Sequence, residues 1–262
     1  MYKLHLGKSP LVISIPHAGL VIPEQVKVHM TQEAARLVDT DWFVDKLYEF
    51  AKDLDVTIIA AELSRYVIDL NRDPDGVSLY PGQFTTGLCP LETFDKHALY
   101  KSDYLLDEQE VAHRRQQYWQ PYHDEIIQQT SRVRALHGHC VLLDGHSIAS
   151  EVPTLFDGQL PDLNFGTFNG ASADEDLADA LNKLDMMGYS SIFNGRFKGG
   201  YITRHYGKPE QSIHAIQLEI SQATHLDESN RQWHSDKASA LQAYLKQLCH
   251  TLIHWKPATI KS

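Results

Sequence analysis

The sequence predicts an α/β fold, a three-layer αβα arrangement around a mainly parallel or mixed central sheet. Short runs rich in β-branched residues, such as LVISI at 11–15 and IHAIQLEIS at 213–221, carry strand-like patterns. Stretches with helical spacing of apolar residues lie between such runs, and strands that alternate with helices favour a parallel sheet. The chain has 262 residues, 42% of them hydrophobic, which suits one large domain with a substantial core. Because no repeat or linker divides it, residues 1–262 are expected to form a single domain with long active-site loops near 73–103 and 147–171.

The elements follow in chain order. Leu11 to Ile15 reads as a short buried strand. Pro16 stops its hydrogen-bond ladder and Gly19 permits a tight turn, which leaves His17 at the strand's C-terminal lip. Thr31 to Leu37 is a short helix candidate. Trp42, Leu47, Phe50 and Leu54 recur at near-helical spacing, so Asp41 is expected in the first turn of a helix. Val56 to Ala61 is a second strand, Ser64 to Arg72 a third extended run, and Pro74-Asp75-Gly76 a turn. Leu106 to Leu136 is helical territory, kinked or interrupted at Pro121. A strand through Leu143 is followed by Asp144, His146 and Ser147. Asp174 to Met187 reads as a helix with Ser172 as its cap, Ile213 to Ser221 as a strand, and about Ser229 to Leu252 as a terminal helix.

Composition narrows the functional classes. A formal charge of −10 and a pI near 5.8 argue against nucleic acid or an anionic membrane as the main partner. Cys89, Cys140 and Cys249 form no disulfide pattern, which points to a reducing compartment. The first residues lack the apolar run of a signal peptide, and no window approaches the roughly 18 apolar residues of a membrane span. A cytoplasmic location is expected.

The chemistry-bearing residues cluster at strand-like runs. His17 follows LVISIP, His146 follows VLLD, and Glu219 lies within AIQLEIS. Parallel strands side by side would deliver such residues to one sheet edge. Two histidines and a carboxylate form a suitable shell for zinc, with a position left for water or substrate. The carboxylate is Asp39, Asp41 or Glu219 on the pattern alone. Glu219 stands between Leu218 and Ile220, where a carboxylate is rarely buried without a partner unless it lies on a solvated edge strand. Asp144 either caps a turn or accepts a hydrogen bond from a metal-bound histidine. His146 has a plainer alternative as a member of a buried polar network.

A second cluster is cationic. Arg65, Asn71 and Arg72 frame one segment, and NGRFKGGYITRHYG places Arg196, Lys198 and Arg204 among glycines. Guanidinium groups match carboxylates through paired hydrogen bonds, so these clusters suit a carboxylate substrate, although some arginines will serve protein carboxylates instead. GRFKGG lacks the ending of a phosphate-binding Walker loop, and Gly145-His146-Ser147 is no nucleophile elbow.

Taken together and in order from about residue 11 to residue 228, SIPHAG, DTDWFVDKLY, SRYVIDLNRDPDG, DGHSI, NGRFKGGYITRHYG and QLEIS resemble the N-formylglutamate amidohydrolase family. The resemblance implies a phosphorylase/hydrolase-like core similar to that of zinc carboxypeptidases. It implies hydrolysis of N-formyl-L-glutamate to formate and L-glutamate, the closing step of one histidine-degradation route. It also implies a divalent metal, zinc, held by His17, Asp41 and His146, with Asp41 preferred to Asp39. Glu219 resembles the catalytic carboxylate, with Asp144 behind the metal ligands. Arg65, Asn71 and Arg72, or Arg196 and Arg204, would grasp the substrate's carboxylates. The partner implied is a small anionic N-acyl amino acid, with neither nucleic acid nor membrane. The alternatives are an amidohydrolase or carboxypeptidase-like enzyme for another N-acyl amino acid, and a carboxylate-binding protein without catalysis.

Overall fold

Leu11, Ile13 and Ile15 join one hydrophobic cluster and Val12 another, because successive side chains of a strand face opposite sides. The computed structural model describes residues 1–77 and 86–258. Among the described residues, seven strands form one sheet: β1 (Tyr2–His5), β2 (Leu11–Ile15), β3 (Thr57–Ala61), β4 (Cys140–Ile148), β5 (Leu163–Gly166), β6 (Ser191–Phe193) and β7 (Ile213–Ser221). Their spatial order is β1-β3-β2-β4-β7-β5-β6. The four central strands run parallel, while β1 pairs antiparallel with β3 and β5 antiparallel with β7, so the sheet is mixed.

The helices are α1 (Glu24–Lys27), α2 (Val44–Leu47), α3 (Glu108–Arg114), α4 (Gln120–His137), α5 (Glu175–Asn182), α6 (Tyr201–Tyr206) and α7 (Ser235–His254). On one face of the sheet, Tyr122, Ile126 and Val133 of α4 pack with Val12, Ile59 and Leu142. On the other, residues of α2, α5 and α7, among them Leu47, Leu177 and Leu245, pack with Ile13, Val141, Leu143 and Ile216. Helices, sheet and helices make the three layers. The hydroxyl of Tyr122 donates to the Ile59 carbonyl at 3.1 Å and meets Ser14 Oγ at 3.0 Å, so the polar atoms at this contact are satisfied.

Several elements differ from the sequence reading for physical reasons. Strand β4 continues past Leu143 to Ile148 because its ladder with β7 persists, pairing Asp144 with Gln217 and His146 with Glu219. Ser64 to Arg72 is a series of turns rather than an extended strand. There Ser64 Oγ accepts from the Tyr66 amide and Asp69 Oδ1 from the Asn71 amide, local bonds that compete with a ladder. Helix α2 starts only at Val44, after Phe43 takes a left-handed φ of 61°, so Asp41 lies before the helix and not in its first turn. Between Leu106 and Leu136 the chain forms α3, a π-helical turn over Arg115–Trp119, and α4. Pro121 lies just past that π-helical turn, so the helical stretch is interrupted next to the residue that cannot donate to it.

Thr31 to Leu37 yields a 3₁₀ turn at Ala34–Arg36. Helix α5 ends at Asn182, short of Met187, and the Ser172 hydroxyl donates to the Ala215 carbonyl instead of capping it. The terminal helix starts at Ser235. The interval 147–171 contains β5, and residues 78–85 of the interval 73–103 lie outside the described residues.

Leu143 is completely buried in the cluster shared by the sheet and α7. Replacing it by alanine is expected to lower unfolding free energy by about 2–5 kcal/mol, read from the urea midpoint. A loss below about 1 kcal/mol would contradict this packing.

Candidate metal centre and active site

The same alternation that builds the core also builds a polar edge. In β4, Cys140 and Leu142 face α4, and two and four residues on, Asp144 and His146 carry that face beyond the apolar contact. Ala215 of β7 faces the same way, and Gln217 and Glu219 follow it. The parallel register sets His146 beside Glu219. Strand β2 ends one place over, and Pro16 hands the chain to His17. Gly19 is required for close approach: a Cβ there would lie 2.3 Å from the Leu63 carbonyl oxygen.

His17, Asp41 and His146 are brought together, each buried, with one potential ligand atom apiece and all three atoms within 4.8 Å of one another. Nδ1 of His146 lies 2.8 Å and Nδ1 of His17 3.8 Å from Asp41 Oδ2. The far nitrogens are tied to carboxylates. His17 Nε2 donates to Asp69 Oδ1 at 2.7 Å, and His146 Nε2 lies 3.1 Å from Asp144 Oδ2. Held by Asp69 through Nε2–H, His17 presents the lone pair of Nδ1, the arrangement metal-binding histidines use, whereas His146 Nε2 accepts from the Asn71 amide at 2.8 Å with its Nδ1 facing Asp41. The Ser147 amide donates to Asp41 Oδ2 at 3.2 Å and so aims the aspartate. Two nitrogens, one carboxylate and two outer carboxylates fit a divalent cation.

Asp39 goes elsewhere. Its Oδ2 accepts from the Phe94 amide at 3.0 Å, and burial pushes its pKa up to about 6. Burial also opposes ionisation of Asp69, but Arg72, His17 and Arg65 hold its carboxyl well below the usual range. Against the cost of burial, Asp144 and Asp41 hold His146 well above an ordinary imidazole. Burial and Arg65 together push His17 down. Glu219, also buried, is pushed up to about 8, chiefly by loss of water, and Gln217 Nε2 donates to its Oε2 at 3.2 Å.

These groups open into a cavity of about 70 Å³ lined by His17, Asp41, His146 and Glu219 and by Arg65, Asn71, Arg72 and Arg196. The arginines divide by their partners. Arg65 donates to Asp69 Oδ2 at 2.7 Å, approaches Asp41 Oδ1 at 3.6 Å and covers the Phe94 ring, so it serves protein carboxylates. Arg72 is braced by the Thr86 carbonyl at 3.0 Å and Arg196 by the Leu155 carbonyl at 2.7 Å, and both reach the cavity. Arg204 is not brought to it: its Nε donates to the Gly199 carbonyl and its guanidinium lies over Phe168. Asn71 takes no position as a free donor, because its amide contacts Asp144 Oδ2 at 3.1 Å and His146 Nε2 at 2.8 Å.

Asp69 and Gln217 were not singled out in the sequence. Asp69 carries the same signal as Glu219, a carboxylate between apolar neighbours, here Ile68 and Leu70.

A mixed sheet with a histidine–aspartate cation centre and a buried, high-pKa glutamate at its strand ends defines a metal-binding α/β enzyme. Residues 9–226 match the family model described as N-formylglutamate amidohydrolase, and the chain belongs to that family. It is 46% identical over 256 residues to the N-formylglutamate deformylase of Pseudomonas putida, covering 97% of this chain and 96% of that protein. It is 44% identical over 252 residues to the Pseudomonas aeruginosa N-formylglutamate deformylase, covering 95% and 94%. The crystal structure of an N-formylglutamate amidohydrolase from Ralstonia eutropha superposes with a TM-score of 0.80 at 26% identity, over 96% of this chain and 95% of that one.

Asp69→Asn is expected to weaken divalent-metal binding about 10- to 100-fold, measured by competition with a chromogenic chelator. Wild-type affinity in the folded variant would contradict the orienting role of Asp69.

Proposed function

We propose that this chain hydrolyses N-formyl-L-glutamate to formate and L-glutamate, with zinc held by His17 Nδ1, His146 Nδ1 and Asp41. The observation that carries the reading is one cavity shared by that ligand set, by Glu219 and by Arg72 and Arg196. When bound, zinc supplies Lewis acidity, polarising the formyl oxygen and lowering the pKa of water.

The remaining chemistry belongs to the side chains. Arg72 and Arg196 suit the two carboxylates of the glutamyl moiety and hold the substrate with its formyl group toward Glu219. Glu219 accepts a proton from the attacking water as oxygen bonds to the formyl carbon. It returns that proton to the nitrogen as the carbon–nitrogen bond breaks, releasing formate and the free amine of glutamate. Burial pushes the Glu219 carboxyl up to about 8, and a divalent cation held beside it would draw it back toward the ionised form that accepts the proton. Asp69 and Asp144 keep the imidazoles oriented, and Arg65 neutralises part of the carboxylate charge packed around them.

Buried, unpaired cysteines support a reducing, cytoplasmic setting, and the substrate supports a place in histidine degradation. The strand-end ligand set supports a core akin to that of zinc carboxypeptidases, in a single domain.

Zinc-loaded protein is expected to release glutamate from N-formyl-L-glutamate and far less from N-acetyl-L-glutamate, with the chelated protein inactive. Absence of release after verified zinc loading would refute the activity. Glu219→Gln is expected to lower kcat by about 10²- to 10⁴-fold while zinc content is retained. Turnover within a factor of two of wild type would remove Glu219 from the proton-transfer role.

A further inference from the structure

Two ring N–H groups from α4 and the turn before it point at one short stretch of backbone. Trp119 Nε1–H donates to the Arg72 carbonyl at 3.2 Å, and His123 Nε2 lies 2.9 Å from the Leu70 carbonyl. A carbonyl only accepts, so Nε2 carries the hydrogen and Nδ1 is left to accept from the Tyr206 hydroxyl at 2.8 Å. The two rings stack with centroids 3.5 Å apart and planes 21° apart. Burial pushes the pKa of His123 down to about 3, which keeps the ring neutral and its tautomer fixed.

Trp119 closes the π-helical turn and His123 follows one helical turn later, so both rings project from one side of the helix. The two carbonyls they hold flank Asn71. The Asn71 side chain is held in turn at its far end, where Oδ1 accepts from the Ile202 amide at 2.8 Å and Nδ2 reaches Asp144 and His146. Neither Trp119 nor His123 lines the cavity.

We infer that Trp119 and His123 form a positioning clamp on the backbone of residues 70–72, setting Asn71 against His146 and Arg72 toward the substrate. The inference rests on the proposed deformylase activity for its kinetic consequence and on geometry alone for its structural one. The pair acts through Asn71 and Arg72 and touches no reacting atom.

Trp119→Phe keeps the stacked ring and deletes one donor. His123→Leu deletes the other, and His123→Gln restores a donor near Nε2. In zinc-loaded protein, Trp119→Phe and His123→Leu are expected to raise KM for N-formyl-L-glutamate about 3- to 10-fold, the scale of one lost hydrogen bond. The value of kcat is expected within about twofold of wild type on the same scale, with KM recovering in His123→Gln. Amide hydrogen exchange of residues 69–72, which requires no turnover, should accelerate in Trp119→Phe while the thermal midpoint is unchanged. Wild-type exchange in that segment, faster exchange with unaltered KM, or a KM change that tracks a lowered midpoint would overturn the clamp. If the wild-type enzyme released no glutamate, the proposed activity would fail, and the exchange data would still decide the clamp.

Discussion

A 2.7 Å hydrogen bond from His17 Nε2 to Asp69 decides which ring nitrogen His17 turns toward Asp41, and the rest of the site is arranged around that choice. Asp69 is fully buried, so it needs compensation from several directions. Arg65 supplies a guanidinium on one oxygen, and the Asn71 amide and His17 share the other. Those bonds curl the chain after β3 into turns, and the turns deliver Asn71 and Arg72 to the cavity. One carboxylate thus links backbone shape, imidazole orientation and substrate-facing cations.

The same logic recurs around His146. Asp144 stands behind it, Asp41 in front, and Asn71 bridges its far side to the other half of the site. Four acidic side chains, Asp41, Asp69, Asp144 and Glu219, are buried within this edge, with Arg65 and Arg72 as cations beside Asp69. Buried carboxylates are costly unless they are paired, and a divalent cation among His17, Asp41 and His146 would add a partner for Asp41. Glu219 shows the cost of burial plainly, since loss of water pushes it up to about 8.

Much of this was legible in the residues. LVISI and IHAIQLEIS are strands because β-branched runs bounded by turn residues have few alternatives, and their alternation also placed Glu219. Strands β1, β5 and β6 escaped notice because they are three or four residues long and carry polar or exposed side chains. The Tyr-Val-Ile run at 66–68 reads as strand by propensity, yet local side-chain hydrogen bonds override it. His17 and His146 announced themselves at strand ends, whereas Arg65 and Arg204 looked alike in sequence and differ only in what they touch. Trp119 and His123 gave no signal, because the carbonyls they hold lie about fifty residues earlier in the chain.

The bond from Asp69 to Nε2 leaves Nδ1 of His17 as the atom that faces a metal. Anomalous diffraction at the zinc edge from zinc-loaded crystals tests it most directly. One ion is expected about 2.0–2.2 Å from His17 Nδ1, His146 Nδ1 and an Asp41 oxygen, with Asp69 still bonded to His17 Nε2. An ion bound through either Nε2, or held by Asp39 in place of Asp41, would contradict it.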